Sequence, residues 1–334
     1  MTEIGRPLVM RDVPIPKIGV NEVLVETRST GICGTDLHIL EGRGYVPPLP
    51  HILGHEPAGV IADVGKQVSG VRIGDRIVPS LFFTCNHCYY CRVGRHQQCA
   101  HLQGILGVLS PGAFAQYFKV PAQNVFQLPA AISFETGGLV ADAVVTAVHA
   151  AKRGMLRTGN LAVVIGMGGV GLSLLQVLTA GGIRVIAVDI AEKKVAAASR
   201  LGAEVSIMAD DNAIPEVQKL ALPDGVQCVF DCVGSRQTLN DACRMAMNGG
   251  RVVVIGEQDE SCPMTSTLIA QRELEIVGSR NGTRQDMVEA IRLVDTGKVQ
   301  PPIAAVFPLD EVNDALRTMK NGVVGRVVVR VSGN

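Results

Sequence analysis

Four cysteines, Cys85, Cys88, Cys91 and Cys99, follow one another at spacings C-x2-C-x2-C-x7-C. Two-residue spacings let the backbone wrap a tetrahedral zinc ion, and a site with sulfur at every corner has no open position for a substrate. An iron–sulfur cluster is the rival, because C-x2-C-x2-C also opens the bacterial ferredoxin run. That run closes with x3-C-P, whereas here the fourth cysteine comes after seven residues and is followed by Ala100. A structural zinc ion is the expectation. A second constellation has the opposite character: Gly31-Ile-Cys33-Gly-Thr35-Asp-Leu-His38 is followed by Gly54-His55-Glu56. One thiol, one imidazole and a neighbouring carboxylate supply mixed ligands and leave a zinc position open, as a Lewis-acid site requires.

A third group is built for phosphate. Val163-Val-Ile-Gly166-Met-Gly168-Gly169-Val170-Gly171 is a G-x-G-x-x-G run directly after an apolar stretch and before a helical one. In that context glycines permit a tight turn and let pyrophosphate approach the backbone N–H groups of a helix N-terminus. Asp189 ends the next apolar run, 18 residues beyond Gly171. A carboxylate there accepts the adenosine ribose hydroxyls and repels a 2′-phosphate. The following residue is Ile190 and not an arginine, which favours NAD over NADP.

These residues need two kinds of scaffold. The first ~140 residues carry short β-like runs (Glu22–Thr27, Gly59–Val64, Asp75–Pro79) between Pro and Gly turn signals, which predicts an irregular β domain. From Leu161 the texture changes. Strand candidates Leu161–Ile165, Arg184–Asp189, Val226–Asp231 and Arg251–Ile255 alternate with helix candidates Val170–Ala180, Ala191–Leu201, Ile214–Leu220 and Thr238–Met247. Near-continuous apolar strands between helices imply a parallel sheet covered on both faces. Further helices are expected at Gln285–Asp295 and Leu309–Met319 and a last strand at Arg326–Val331, a tail too short for a new core. The organisation expected is a β domain at 1–142, a dinucleotide-binding domain at 143–280, and 281–334 returning to complete the first.

Composition agrees with this reading. The chain has 334 residues, 47% hydrophobic and 19% charged, with 31 basic and 31 acidic side chains. A net charge of zero removes the electrostatic footprint expected of a nucleic-acid binder or a polybasic membrane anchor. Nine cysteines, an odd number, with no apolar leader at the amino terminus point to metal ligation in the reducing cytoplasm and not to disulfides. Gly159–Ile183 contains no charge and is long enough for a membrane span, but its seven glycines read as strand, loop and helix. Cys228 and Cys232 read as small core residues, Met245 and Met247 as packing, and His87, His96 and His101 as the surface of the cysteine lobe.

Taken together and in this order, these motifs resemble the zinc-dependent alcohol dehydrogenases of the medium-chain dehydrogenase/reductase superfamily. The resemblance spans essentially the whole chain, including Phe230-Asp-Cys-Val233-Gly234 and the closing Val324-Gly-Arg326-Val. It implies an α/β protein with a GroES-like β domain interrupted by a Rossmann doubly wound parallel sheet, and an active site in the cleft between them. It implies two zinc ions per chain, NAD as cofactor, a small alcohol or carbonyl substrate, and a homodimer or homotetramer. Carried over to this sequence, Cys33, His55 and Asp142 match the catalytic zinc ligands; many relatives have cysteine at the last of these. Glu56 matches a transient fourth ligand or an outer carboxylate. Thr35 matches the hydroxyl that meets the substrate oxygen, and His38 the residue that passes its proton to solvent. Lys194 and Val233 match residues beside the cofactor, and Arg326 an arginine at its pyrophosphate.

Two departures accompany the resemblance. Relatives begin with a short strand upstream of the segment matching Thr2–Leu8, so either the start lies further upstream or a sheet edge is exposed. Gly34 stands where some relatives carry a cationic phosphate contact. The activity implied is reversible hydride transfer between an alcohol (primary, secondary or polyol) and NAD. The alternatives are a threonine dehydrogenase, since Gly31–Ile39 resembles that branch too, and a non-catalytic NAD-binding regulatory protein on the same fold. A zinc-finger nucleic-acid binder is disfavoured by the charge balance.

Overall fold

The computed structural model describes residues 1–258 and 260–332. The chain forms two units: Met1–Val145 with Gly282–Thr296 and the segment from Ile303 onward, and Thr146–Asn281 with Gly297–Pro302. In chain order the strands are β1 (Glu22–Ile32), β2 (Glu56–Val64), β3 (Arg76–Pro79), β4 (Phe82–Phe83), β5 (Gly104–Ile105), β6 (Tyr117–Pro121) and β7 (Val125–Gln127). They continue with β8 (Leu161–Ile165), β9 (Arg184–Asp189), β10 (Val205–Met208), β11 (Val226–Asp231), β12 (Ala246–Val254), β13 (Glu275–Gly278), β14 (Ile303–Pro308) and β15 (Arg326–Arg330).

The first unit is built on a sheet ordered β14-β15-β1-β2-β3-β7, with β6 also pairing β1. Its longest strand, β1, alternates buried and half-buried residues over its first half and is buried throughout from Ser29 to Ile32. There it lies antiparallel to both β2 and β15, with Gly31 opposite Glu56 on one side and Ile32 opposite Val327 on the other. The returning tail therefore supplies two strands of the sheet that carries the site. Residues 1–21 form no strand, and the outer strand β14 exposes Ala304, Val306 and Pro308.

The second unit is a six-stranded parallel sheet ordered β10-β9-β8-β11-β12-β13. Numbered within the unit this is 3-2-1-4-5-6, the doubly wound Rossmann order, whose strand order reverses between β8 and β11. All five residues of β8 are buried, as a strand covered on both faces requires. The charge-free stretch Gly159–Ile183 resolves into β8, the glycine loop and the helix Gly169–Ala180. No helix among the described residues is long and apolar enough to cross a membrane.

Several elements differ from the sequence expectations. The helix expected at Thr238–Met247 runs Arg236–Met245, started by Ser235 and Thr238 capping each other. It stops because the Arg272 guanidinium takes the carbonyls of Cys243 and Ala246, so Met247 belongs to β12. The segment Leu309–Met319 begins as a 3-10 turn, Leu309–Glu311, before the helix Val312–Lys320. The helix Ser266–Arg272 and strands β10, β13 and β14 had no sequence reading; the helix buries none of its residues. Within the tail, Gly297–Pro302 groups with the second unit, where Gln300 exchanges hydrogen bonds with the Gln176 side chain at 2.8 and 3.2 Å.

Candidate active site and metal centres

Cys33 leaves the end of β1 and N-caps the short helix Gly34–Leu40. The Asp36 carboxylate returns to this cap: Oδ2 accepts the Cys33 N–H at 2.9 Å, and Oδ1 lies 3.1 Å from His55 Nδ1. Asp36 is fully buried. A carboxylate at Nδ1 fixes the proton there and turns Nε2 outward as a ligand of raised basicity. Burial opposes charge on His55, but Asp36 and Cys33 outweigh it and hold its pKa well above the usual value. Glu56 follows as the first residue of β2.

Asp142 arrives from a different element. The helix Phe134–Leu139 passes into a single π-helical turn, Val140–Val144, before continuing as Val145–Arg153. The widened turn carries Asp142, whose Oδ2 lies 3.5 Å from Cys33 Sγ. Such turns recur where one side chain must be aimed at a site. Ligand atoms of Cys33, His55, Glu56 and Asp142 all lie within 4.8 Å of one another. One sulfur, one imidazole nitrogen and carboxylate oxygens at this separation fit zinc in both donor type and spacing.

The lobe cysteines form the second cluster. Successive sulfurs lie 4.0 Å (Cys85–Cys91), 3.6 Å (Cys88–Cys91), 3.9 Å (Cys88–Cys99) and 3.5 Å (Cys85–Cys99) apart. A tetrahedron with Zn–S of ~2.3 Å places its sulfurs ~3.8 Å apart, whereas a disulfide needs ~2.05 Å. The Cys91 backbone N–H draws the Cys88 thiol down to about 6, while burial pushes Cys91 up to about 12. The lobe histidines have local roles: His87 Nδ1 lies 2.8 Å from the Cys85 carbonyl, and its ring stacks on His101. Cys91→Ser is expected to abolish zinc binding by the lobe while leaving the other cluster intact, and to lower the melting temperature of zinc-loaded protein. Metal analysis alongside a thermal melt checks this.

In the second unit the glycine run forms a tight loop. Gly166 has φ +91°, and an added Cβ at Gly171 would lie 1.9 Å from the Gly166 carbonyl oxygen. Gly168 caps the helix, and the first bond of the helical ladder runs from Leu172 N–H to Gly168. The N–H groups of Gly169, Val170 and Gly171 are thus the donors a helix leaves for an anion. Asp189 ties the loop down, accepting from Met167 N–H at 2.6 Å and Ala191 N–H at 2.9 Å, with Lys194 Nζ 3.8 Å away. Val233 Cγ2 packs where a Gly166 side chain would be, 2.7 Å from that Cβ position.

Two family models match the sequence, an alcohol dehydrogenase GroES-like domain over residues 19–130 and a zinc-binding dehydrogenase domain over 169–296. An alcohol dehydrogenase of Geobacillus stearothermophilus is 35% identical over 98% of both chains. The chain belongs to the zinc-dependent alcohol dehydrogenase family of the medium-chain dehydrogenases/reductases. It is an oxidoreductase of that zinc type. An L-threonine 3-dehydrogenase of Bacillus velezensis is 31% identical, over 96% of this chain and 94% of its own. The crystal structure of the alcohol dehydrogenase of the archaeon Aeropyrum pernix superposes with a TM-score of 0.92 at 31% identity, covering 99% of this chain and 98% of that one.

Within this zinc dehydrogenase frame, one residue makes contacts that the resemblance does not give. Arg326, expected at the pyrophosphate, has its guanidinium among the ligands of the first cluster: Nη2 lies 2.9 Å from Glu56 Oε1, 3.3 Å from Asp142 Oδ2 and 3.4 Å from Cys33 Sγ. The reason is register. Val327 pairs with Ile32, so the residue before it faces the chain just as it reaches Cys33. Asp36 had no sequence reading at all. Its signal was available: a carboxylate three residues after a cap residue is a capping box with cysteine replacing serine.

Proposed function

We propose that this chain is an NAD-dependent zinc alcohol dehydrogenase, with Cys33, His55 and Asp142 holding the catalytic ion and Glu56 beside them. The observation that carries the reading is the convergence of four side chains able to ligate a metal from three separate chain segments, all within 4.8 Å, apart from the closed four-cysteine lobe. An ion held there would supply Lewis acidity to the substrate oxygen, and a bound nicotinamide would accept the hydride.

The side chains handle binding and the proton. Thr35 sits in the first turn of the helix capped by Cys33, with Oγ1 3.8 Å from Cys33 Sγ, and receives the proton of the substrate hydroxyl. His38 lies three residues on, on the same helical face, and an imidazole suits passing that proton to solvent near neutral pH. With NAD bound, the overall reaction would balance as one hydride taken up by the cofactor and one proton released, leaving an aldehyde or ketone. Asp36 holds His55 in its ligating tautomer. Gly169–Gly171 receive the pyrophosphate, with Asp189, Lys194 and Val233 at the remainder of NAD. A homodimer or homotetramer in the cytoplasm belongs to the same reading.

Threonine is the second substrate reading, favoured by the threonine dehydrogenase among the relatives. The test is NADH formation by zinc-loaded protein on primary, secondary and cyclic alcohols, polyols and threonine. Turnover on alcohols supports the reading, and turnover on threonine alone selects the second. Tight NADH binding with no turnover on any of them contradicts both. Asp189→Asn keeps the acceptor for the loop but removes the charge, and is expected to narrow the preference for NAD over NADP by about 10-fold or more. Ratios of kcat/KM for the two cofactors check it.

A further inference from the structure

We propose that Gly282 is a positioning residue for the Cys33 centre: the returning chain passes so close to the end of the π turn that it sets where Asp142 stands. This rests on the zinc reading of that centre. Val145 is the residue at which the chain leaves the first unit, and Gly282 the one at which it returns. The two are in contact. A Cβ built on Gly282 would lie 2.6 Å from Val145 Cγ2 and 3.1 Å from the Val145 carbonyl oxygen. The φ angle of Gly282 lies outside the left-handed region, so the demand for glycine is one of space and not of backbone conformation.

Val145 is tied directly to the residue that bears the ligand. Its N–H reaches back to the carbonyls of Asp142 and Val140, the second being the wide bond that makes this a π turn. Asp142 in turn places Oδ2 3.5 Å from Cys33 Sγ. A shift of Val145 therefore moves the Asp142 backbone, and the carboxylate moves with it. Upstream the segment is pinned as well: Gly138 lies against the Glu56 carbonyl oxygen, where a Cβ would come within 2.5 Å.

Three features direct any overlap at this contact into the turn. Val145 is 1% exposed and opens the helix Val145–Arg153, where a β-branched side chain has one strongly preferred rotamer, so its methyl group has nowhere to swing. The returning chain is held beside it: Asp286 Oδ2 accepts the Thr283 N–H at 2.8 Å and the Thr283 hydroxyl at 2.7 Å, and the Asp286 N–H donates to Thr283 Oγ1 at 3.1 Å. Asp286 is itself buried, and its Cβ would lie 3.1 Å from the added carbon. The helix Arg284–Asp295 that follows packs on the π turn. A π turn is the rarest of the helical forms, and it is the element here that gives.

The test uses full-length protein with zinc at both centres. Zinc affinity at the Cys33 centre is measured by competition with a chromogenic chelator, and cobalt(II) substituted at that centre reports ligand geometry by its absorption. Gly282→Ala is expected to weaken metal at the Cys33 centre about 10-fold or more and to alter the cobalt spectrum, with the lobe zinc retained. Gly282→Ala with Val145→Ala removes the methyl group that the new carbon meets, and is expected to recover much of the affinity and of the wild-type spectrum. A merely structural role for Gly282 would lower the melting temperature of the single variant and leave both metal readouts unmoved.

Should the single variant fail to fold, a folded double variant that binds metal tightly at the Cys33 centre supports the proposal on its own. A double variant that also fails to fold, or folds without metal at that centre, overturns it. Wild-type affinity and spectrum in folded Gly282→Ala would overturn it too, as would equal loss of zinc from both centres. Wild-type protein that holds zinc only at the lobe would instead overturn the zinc reading on which the proposal rests.

Discussion

Cys33→Ala is expected to abolish alcohol turnover by about three orders of magnitude or more while the protein stays folded and continues to bind NADH. Lewis-acid stabilisation by a bound ion is worth several kcal/mol, and every 1.36 kcal/mol is tenfold in rate. Cys33 is the only sulfur of its cluster, so alanine leaves an imidazole and carboxylates that bind zinc less tightly. The substitution deletes a single atom at the cap of a short helix whose start is also held by Asp36 on the Cys33 N–H, a contact the alanine backbone keeps. Steady-state kinetics, metal content and NADH fluorescence on the same preparation check the three parts. Loss of turnover with both zinc ions retained would mean that Cys33 acts in some way other than ligation.

Gly171→Val carries the second large effect, and it falls on the cofactor. Even the first carbon of any side chain would lie 1.9 Å from the Gly166 carbonyl oxygen, well inside contact distance, and that atom is backbone, so no rotamer relieves the clash. Either the helix Gly169–Ala180 retreats from the loop or the loop opens. In both cases the N–H groups of Gly169–Gly171 lose their common aim. Overpacking of this kind costs about 1–3 kcal/mol in stability. NADH affinity is expected to fall by about 100-fold or more, the worth of one or two charge-assisted hydrogen bonds. Zinc content should be unaffected, because both metal clusters are built from the other unit. Fluorescence titration with NADH and a thermal melt read the two effects separately.

What could be read from the sequence followed how local each signal is. Strands β8, β9 and β11 were legible to the residue because both faces of a central parallel strand are buried, so the apolar run is the strand. The four-cysteine lobe lies within one short segment, and its spacing needs no tertiary information. The glycine run was legible because strand, loop and helix follow one another in the chain. Edge strands β13 and β14 were not, since half-exposed residues carry little periodic signal.

The first metal cluster divides in the same way. Cys33, His55 and Glu56 stand in recognisable local contexts, whereas Asp142 was placed only by resemblance. A π turn is one residue wider than the helix around it, and nothing in Val140–Val144 announces it. Arg326 was expected at the pyrophosphate from the resemblance alone. Only the pairing of β15 with β1 shows which anions it meets.

Anomalous diffraction at the zinc edge, from crystals of the protein as purified, tests the central claim most directly. The account predicts two peaks per chain. One is ringed by Cys85, Cys88, Cys91 and Cys99, and the other lies about 2.0–2.3 Å from Cys33 Sγ, His55 Nε2 and an Asp142 oxygen, with Arg326 behind them. A single peak in the lobe, with Cys33 and His55 ligating nothing in active protein, would contradict it.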